Sequence, residues 1–215
     1  MSRRERLSPI PTLEFEILLW KAGFTRIAGI DEAGRGAWAG PVVAAAVILP
    51  ANPSLTTTLN KVRDSKLMTP AARETWSVVI KDCAIGWGVG LASSGEIDAR
   101  GIVPATKLAA TRALNGLNPD YLMTDYLLFR EIDLPQTALV KGDQRSLSIA
   151  AASVLAKTFR DEYMNKLHDD YPVYNWNKNK GYATSYHREA ISMYGITPYH
   201  RRSFSLNDTQ LSIDF

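Results

Sequence analysis

Hydrophobic and polar residues alternate along this chain in two rhythms. From Leu13 to Trp20 the apolar side chains recur at helical spacing, whereas Arg26 to Ile30 and Val42 to Leu49 are β-branched runs separated by a glycine-rich turn. The pattern predicts a short helix followed by a hairpin. Asn52 to Asp64 is polar and turn-rich. Thr69-Pro70 then opens a helix through Val79, with Thr as N-cap and Pro in the first turn, and Ala84 to Leu91 reads as a third strand.

Ile102 to Leu117 is rich in Ala and Leu and closes on Asn115-Gly116, so it predicts another helix, and short strands follow at Tyr121 to Asp125 and Thr137 to Val140. Leu147, Ala151, Leu155, Phe159, Tyr163 and Leu167 recur every four residues, which predicts one long helix over Ser146 to His168 with a buried stripe. Beyond Pro172 the composition turns polar, aromatic and basic, as expected of an appended segment that faces a substrate.

The 215 residues carry 25 Lys+Arg against 22 Asp+Glu, a net charge of +3, and a single cysteine. This composition excludes a disordered, collagen-like or disulfide-stapled chain and predicts one main domain with its own core. The small positive charge admits a polyanionic partner without requiring one. No apolar run approaches the ~20 residues of a membrane span, and the basic start runs into Ser8-Pro9-Ile10-Pro11 in place of an apolar signal core. With Cys83 alone, the expected compartment is the cytoplasm, with no membrane partner.

The candidate chemistry begins at Ile30-Asp31-Glu32-Ala33-Gly34-Arg35-Gly36, where two carboxylates end an apolar strand beside a turn that exposes backbone amides. Carboxylate oxygens are hard ligands for Mg²⁺ or Mn²⁺, and turn amides can hold a phosphate or a sugar hydroxyl. A solvated turn gives the same letters. Gly34-x-Gly36-x-x-Ala39 also fits a dinucleotide-binding fingerprint, but that fingerprint opens a helix, and here the chain runs into the strand at Val42. Asp125 ends a second strand, and Asp143 stands between a third strand and the long helix. Read singly, these are a turn residue and a helix-terminal residue. Read together, strand ends that converge on one edge of an α/β sheet bring Asp31, Glu32, Asp125 and Asp143 to one two-metal phosphoryl-transfer site. Neighbouring strand residues face opposite ways, so Asp31 and Glu32 share a site only if the strand distorts near Gly34 and Gly36, which makes Asp31 the central ligand. His168, His187 and His200 read as surface residues, with neither metal-ligand nor triad spacing.

Gly29-Ile30-Asp31-Glu32-Ala33-Gly34-Arg35-Gly36, with Ala39-Gly40-Pro41-Val42-Val43-Ala44-Ala45-Ala46, resembles the signature of type 2 ribonuclease H, the ribonuclease HII family. Asp64-Ser65-Lys66, Lys141-Gly142-Asp143, Ile149 through Ser153 to Arg160-Asp161, Lys180-Gly181-Tyr182 and His200-Arg201-Arg202-Ser203-Phe204 resemble later family motifs in order. The resemblance implies a ribonuclease H-like α/β fold, a mixed five-stranded sheet flanked by helices, with a small C-terminal helical extension. It divides the chain into an N-terminal helical segment (1–25), a catalytic domain (26–170) and a substrate-contacting extension (171–215).

The resemblance places the family's metal-binding carboxylates on Asp31, Glu32, Asp125 and Asp143, the four that the strand ends select. It implies that Gly34, Arg35 and Gly36 contact the ribose 2′-hydroxyl and that Tyr182 stacks on the next deoxyribose, with Lys66, Ser153, Lys180 and Arg201 as further substrate contacts. The implied partners are RNA/DNA hybrids and DNA duplexes containing ribonucleotides. The implied reaction is endonucleolytic cleavage 5′ of a ribonucleotide with two Mn²⁺ or Mg²⁺ ions, leaving 3′-hydroxyl and 5′-phosphate ends, as in ribonucleotide excision repair and RNA primer removal. Lys178, Arg188 and Arg202, interleaved with Trp176, Tyr186 and Tyr199, are expected along the duplex backbone, and residues 206–215 are a candidate peptide for a replication clamp. The chain departs from the family pattern at Ala37-Trp38, Gly101 and Asn179. Two rivals remain at this level, a non-catalytic duplex binder and a related nuclease acting on DNA. The complete carboxylate set disfavours the first, and the Gly34-Arg35-Gly36 turn with Tyr182 disfavours the second.

Overall fold

The structure, a computed structural model, describes residues 10–205, and the candidate clamp peptide at 206–215 lies outside the described residues. Its frame is one five-stranded sheet built from β1 (Ile27–Ala33), β2 (Val42–Ile48), β3 (Gly86–Ala92), β4 (Tyr121–Asp125) and β5 (Gln136–Leu139), in the order β3-β2-β1-β4-β5. β1–β2 and β2–β3 pair antiparallel, whereas β1–β4 and β4–β5 pair parallel. The C-terminal ends of β1, β4 and β5 therefore open on the same edge. The hairpin and all five strands stand within about two residues of where the alternation puts them, except that β1 runs three residues further.

The helices are α1 (Glu14–Lys21), α2 (Leu55–Thr58), α3 (Pro70–Cys83), α4 (Ser94–Arg100), α5 (Ile102–Leu114), α6 (Leu147–Asp170), α7 (Trp176–Asn179) and α8 (Ser185–Tyr194). Thr69 caps α3 as its sequence predicts, its hydroxyl accepting from the Ala72 amide. The pattern reading assigns nothing to α4, which is short and buries only Ser94 and Ile97. Its start is nonetheless written in a capping box between Ser93 and Glu96. Gly101 separates α4 from α5 at φ 82°, ψ 161°, a conformation open essentially to glycine alone, so this departure fits the joint it makes.

The two faces of the sheet are covered by different helices. Val43, Ala45 and Val47 pack with Leu147, Ala151 and Leu155 of α6 and with Ile80 of α3, while Ala28, Ile30, Ala44 and Ala46 pack with Ala105, Ala109 and Ala113 of α5. The helices lie close because the strands are small there. A Cβ on Gly29 would strike Ser148 of α6, and one on Gly88 or Gly90 would strike the α5 carbonyls of Ala113 or Ala109.

α6 corrects the expected stripe. Leu147, Ala151, Leu155 and Leu167 are buried, but Phe159 is 38% exposed and Tyr163 is half-buried. An exact spacing of four overshoots a full turn of a 3.6-residue helix by about 40° at each step, so the row winds off the packed face. In its place Arg160, Asp161 and Met164 turn inward. Among the described residues no helix is long and apolar enough to cross a membrane.

Candidate active site

The register of the hairpin decides where the first two acids point. Asp31 sits opposite Ala45 and Glu32 opposite Ala44, and the ladder continues unbroken to Ala33 opposite Val43. The strand therefore does not distort before the glycine turn, contrary to the sequence expectation. Asp31 faces the α6 side, and Glu32 faces the α5 side, where Arg35 Nη1 meets its Oε1 at 3.4 Å. Asp125 continues the parallel β1–β4 register one step past Ile30–Thr124, so it lies beside Asp31 on the same face. Its Oδ1 accepts the Gly142 amide at 2.7 Å, which ties it to the short turn Gly142–Gln144 that carries Asp143.

These acids lift one another's affinity for protons. Burial pushes Asp31 well above the usual carboxylate range, and Glu32, Asp125 and Asp143 push it further, with a hydrogen bond from Ser153 working against them. Burial raises Glu32, opposed by Arg35. Asp125 is raised by burial and held back by the Gly142 amide and Lys66. Asp143 is raised to about 6 by burial, with Asp64 and Asp125 adding to it. Asp64, buried at this mouth, is a fifth acid to which the sequence pattern assigns no role. Its side chain also caps the turn Ser65–Leu67 through the Lys66 amide at 2.9 Å. Its signal was its place at the head of the Asp64-Ser65-Lys66 motif. Lys66 is exposed and acts on Glu32, Asp125 and Asp143 as a cation of opposite charge.

Among the described residues no three His, Cys, Asp or Glu side chains are already arranged to hold one metal ion. The donor set still fits hard divalent cations of the Mg²⁺ kind, which are commonly held by one or two carboxylates and completed by water and substrate phosphate oxygens. Asp31, Glu32, Asp125 and Asp143, each raised in proton affinity by burial, carry more negative charge than Arg35 and Lys66 offset.

The other expected contacts divide into exposed and buried groups. Gly36 is exposed, and a Cβ there would meet nothing within 4 Å; Arg35 is partly exposed. Tyr182 is 38% exposed, with the Arg160 guanidinium carbon 5.4 Å and the Lys157 ammonium 5.9 Å from its ring centre. The Lys180 ammonium is half-buried and donates to Asn165 Oδ1 and to the Asn177 carbonyl. Ser153 is buried behind Asp31, its hydroxyl 2.9 Å from that of Ser65.

Arg201 corrects its expectation as a surface contact. It is fully buried, and Nε, Nη1 and Nη2 donate to the carbonyls of Gly40, Arg35 and Gly34 at 3.0, 2.7 and 2.7 Å. Arg160, also fully buried, does the same for Pro41, Lys180 and Ala39 at 2.9, 2.9 and 3.1 Å. Gly34, at φ 90°, has no room for a Cβ against the Arg160 side chain.

The expected duplex contacts divide in the same way. Lys178, Tyr186 and Arg202 are exposed, while Trp176 is in the core. His187 and His200 are likewise buried, not on the surface. Their Nε2 atoms lie 3.1 Å apart, His200 Nδ1 accepts the Thr197 amide, and His187 Nδ1 lies 2.9 Å from the Tyr182 carbonyl. A neutral pair with the shared proton on His200 Nε2 satisfies every one of these contacts, and burial lowers both, His200 to about 4. Asn179 bridges the Tyr174 carbonyl and the Gly181 amide at 2.7 and 2.8 Å, so this departure keeps the loop before Tyr182 pinned.

Comparison with known proteins agrees with this geometry. The family model described as Ribonuclease HII matches residues 28–207. The ribonuclease HII of Dehalococcoides mccartyi is 50% identical over 190 residues, covering 87% of this chain and 89% of its own. Among solved structures, a chain from the structure of the PCNA:RNase HII complex of Archaeoglobus fulgidus superposes with a TM-score of 0.73 at 25% identity, over 86% of this chain and 98% of that one. Bst-RNase HIII in complex with Mn²⁺ superposes with a TM-score of 0.67 at 20% identity, over 85% of this chain and 68% of that one.

Proposed function

The chain belongs to the ribonuclease HII family, and from that premise we propose that Asp31, Glu32, Asp125 and Asp143 are the acids that serve its divalent ions. It is a metal-dependent endonuclease that cleaves RNA in RNA/DNA hybrids and at ribonucleotides embedded in duplex DNA. The single observation that supports the site is the convergence of Asp31, Asp125 and Asp143 at the one edge where three parallel strands end, each with a raised proton affinity.

In this reading Asp31 and Asp125, side by side on one face, are the acids nearest the scissile phosphate. Asp143 flanks them from the turn before α6, and Glu32 takes part from the opposite face. The chemistry that Mg²⁺ or Mn²⁺ supplies when bound is acidification of the attacking water and neutralisation of charge at the departing 3′ oxygen. Ser153 holds Asp31 in place from behind, and Lys66 meets a phosphate at the mouth. The Gly34-Arg35-Gly36 turn offers amides to the ribose 2′-hydroxyl, the group that separates RNA from DNA. Tyr182, exposed beside Arg160, meets the next sugar without reading a base. The exposed Lys178 and Arg202 extend the cationic surface toward the backbone. Cleavage 5′ of the ribonucleotide, a cytoplasmic site of action, and contact with a replication clamp through residues 206–215 belong to the same proposal.

Incubating the protein and a divalent cation with matched duplexes that differ by one ribose tests it. Cleavage only of the ribose-containing duplex, on the 5′ side and lost in chelator, is expected. Cutting of the all-deoxy duplex makes the protein a DNA nuclease, and binding without any cleavage makes it a duplex binder.

A further inference from the structure

We propose that Arg201, supported by Arg160, is a positioning residue that aims the Arg35 and Gly36 amides outward at the substrate ribose. The inference rests on the ribose-reading role given above to the turn. Burying a guanidinium costs several kcal/mol unless its donors find partners. Here two lie close enough to repel, and among the described residues neither pairs with a carboxylate. A core that needed only volume would hold apolar side chains at these positions. What the two guanidiniums provide is direction, because their six contacts all fall on backbone carbonyls of 34–41 and of Lys180.

The direction follows from peptide geometry. In a planar trans peptide the carbonyl of one residue and the amide of the next point opposite ways, and no cis bond is present among the described residues. Arg201 draws the Gly34 and Arg35 carbonyls into the core, so the amides of Arg35 and Gly36 are turned away from it. Neither amide donates to a backbone carbonyl among the described residues, and Gly36 faces open space. Two adjacent donors are therefore presented at the mouth beside Glu32, the arrangement an acceptor such as a sugar hydroxyl requires. Arg160 adds the second dimension. Its Nη1 holds the Lys180 carbonyl, two residues before Tyr182, and its guanidinium stands 5.4 Å from the Tyr182 ring. The donors for the ribose and the ring for the next sugar thus share one buried mount.

Lysine keeps the charge but not the planar fork, so Arg201→Lys separates direction from charge. Duplex affinity is measured in chelator, without cleavage, for an all-deoxy duplex and for one carrying a single ribose, alongside thermal melting. In the parent protein the ribose duplex is expected to bind more tightly. Arg201→Lys is expected to cut that preference by about tenfold, the value of one well-aimed hydrogen bond, while all-deoxy affinity changes by less than about twofold. Arg160→Lys, which leaves the Arg201 contacts in place, is expected to lower the preference less. An unchanged preference in Arg201→Lys, an equal weakening on both duplexes, the reverse order of the two variants, or loss of fold in both overturns the inference. A parent protein with no ribose preference at all removes the reading of the turn on which the inference rests, and this is seen before any variant is made.

Discussion

Two buried clusters of charge flank the same mouth, and the protein treats them in opposite ways. The basic cluster is complete within the chain: Arg160 and Arg201 each spend three donors on backbone carbonyls. The acidic cluster is incomplete. Asp31, Glu32, Asp125 and Asp143 are all raised in proton affinity, and the cations that act on them, Lys66 and Arg35, lie toward solvent. A satisfied buried charge fixes backbone, whereas an unsatisfied one attracts a counter-ion. In the function proposed above, the contrast corresponds to a mount on one side and a reaction centre on the other. It also implies opposite responses to mutation, with acids removed at the expense of activity and to the benefit of metal-free stability, and arginines removed at the expense of both.

The largest effect is expected at Asp31. Asp31→Asn keeps the shape and removes a charge that burial and three neighbouring acids oppose. Cleavage of a single-ribonucleotide duplex should fall by at least about 10³-fold, while duplex affinity changes little and the metal-free protein melts higher. Turnover near that of the parent would remove Asp31 from the centre.

Next in size is a pH effect at Asp143. Its folded-state value of about 6 lies above the ordinary 3.8, so the folded protein holds this proton more tightly than the unfolded chain. The penalty is absent below about pH 4, grows as pH rises, and is complete above about pH 6. Denaturant unfolding in chelator should find Asp143→Asn more stable than the parent by about 3 kcal/mol at pH 7.5 and by no more than about 0.5 kcal/mol at pH 4. Saturating divalent cation should erase the gain. The same gain at both pH values would mean that packing, not charge, sets it.

A smaller and more selective effect is expected where the basic mount meets the substrate. Tyr182→Ala should lower kcat/KM by about tenfold on a duplex with one ribonucleotide, where the ring meets the junction, and by less than about threefold on a long hybrid. Equal losses on both substrates would leave Tyr182 as a general contact.

The acidic centre was legible in the sequence because strand ends are legible. A β-branched run located β1 and short strand readings located β4 and β5, and the acid closing each run or following it had few places to go once the strands were parallel neighbours. The mount was not legible. Arg201 looks like a surface cation in a basic stretch and Arg160 like an ordinary helix cation, since nothing local tells a guanidinium that will bond three distant carbonyls from one that will meet solvent. His187 and His200 misled in the same way, because Trp176 and the two imidazoles become neighbours of one another only after α7 and α8 fold back. The regular ladder at Glu32 was hidden for the opposite reason, since Gly34 permits distortion but the pairing with β2 does not require it. α4 was missed because seven residues with little to bury carry no period, and only its cap spoke for it.

The smallest expected effect probes how the Tyr182 loop is held. Asn179 pins that loop from outside the mount, through the Tyr174 carbonyl and the Gly181 amide, while Arg160 holds Lys180 and His187 reaches Tyr182 from within. Because two buried anchors remain after Asn179→Ala, the loop should keep its place. The expected result is about 1 kcal/mol of lost stability for the two hydrogen bonds, with kcat/KM on the single-ribonucleotide duplex down by no more than about threefold and the long hybrid unaffected. A histidine at this position should restore part of the loss if a ring nitrogen takes up one of the two backbone groups. Should Asn179→Ala instead equal Tyr182→Ala in size and selectivity, the loop is governed by its outer pin. The buried arginines would then set the turn alone, and the shared mount for ribose and junction would divide into two independent supports.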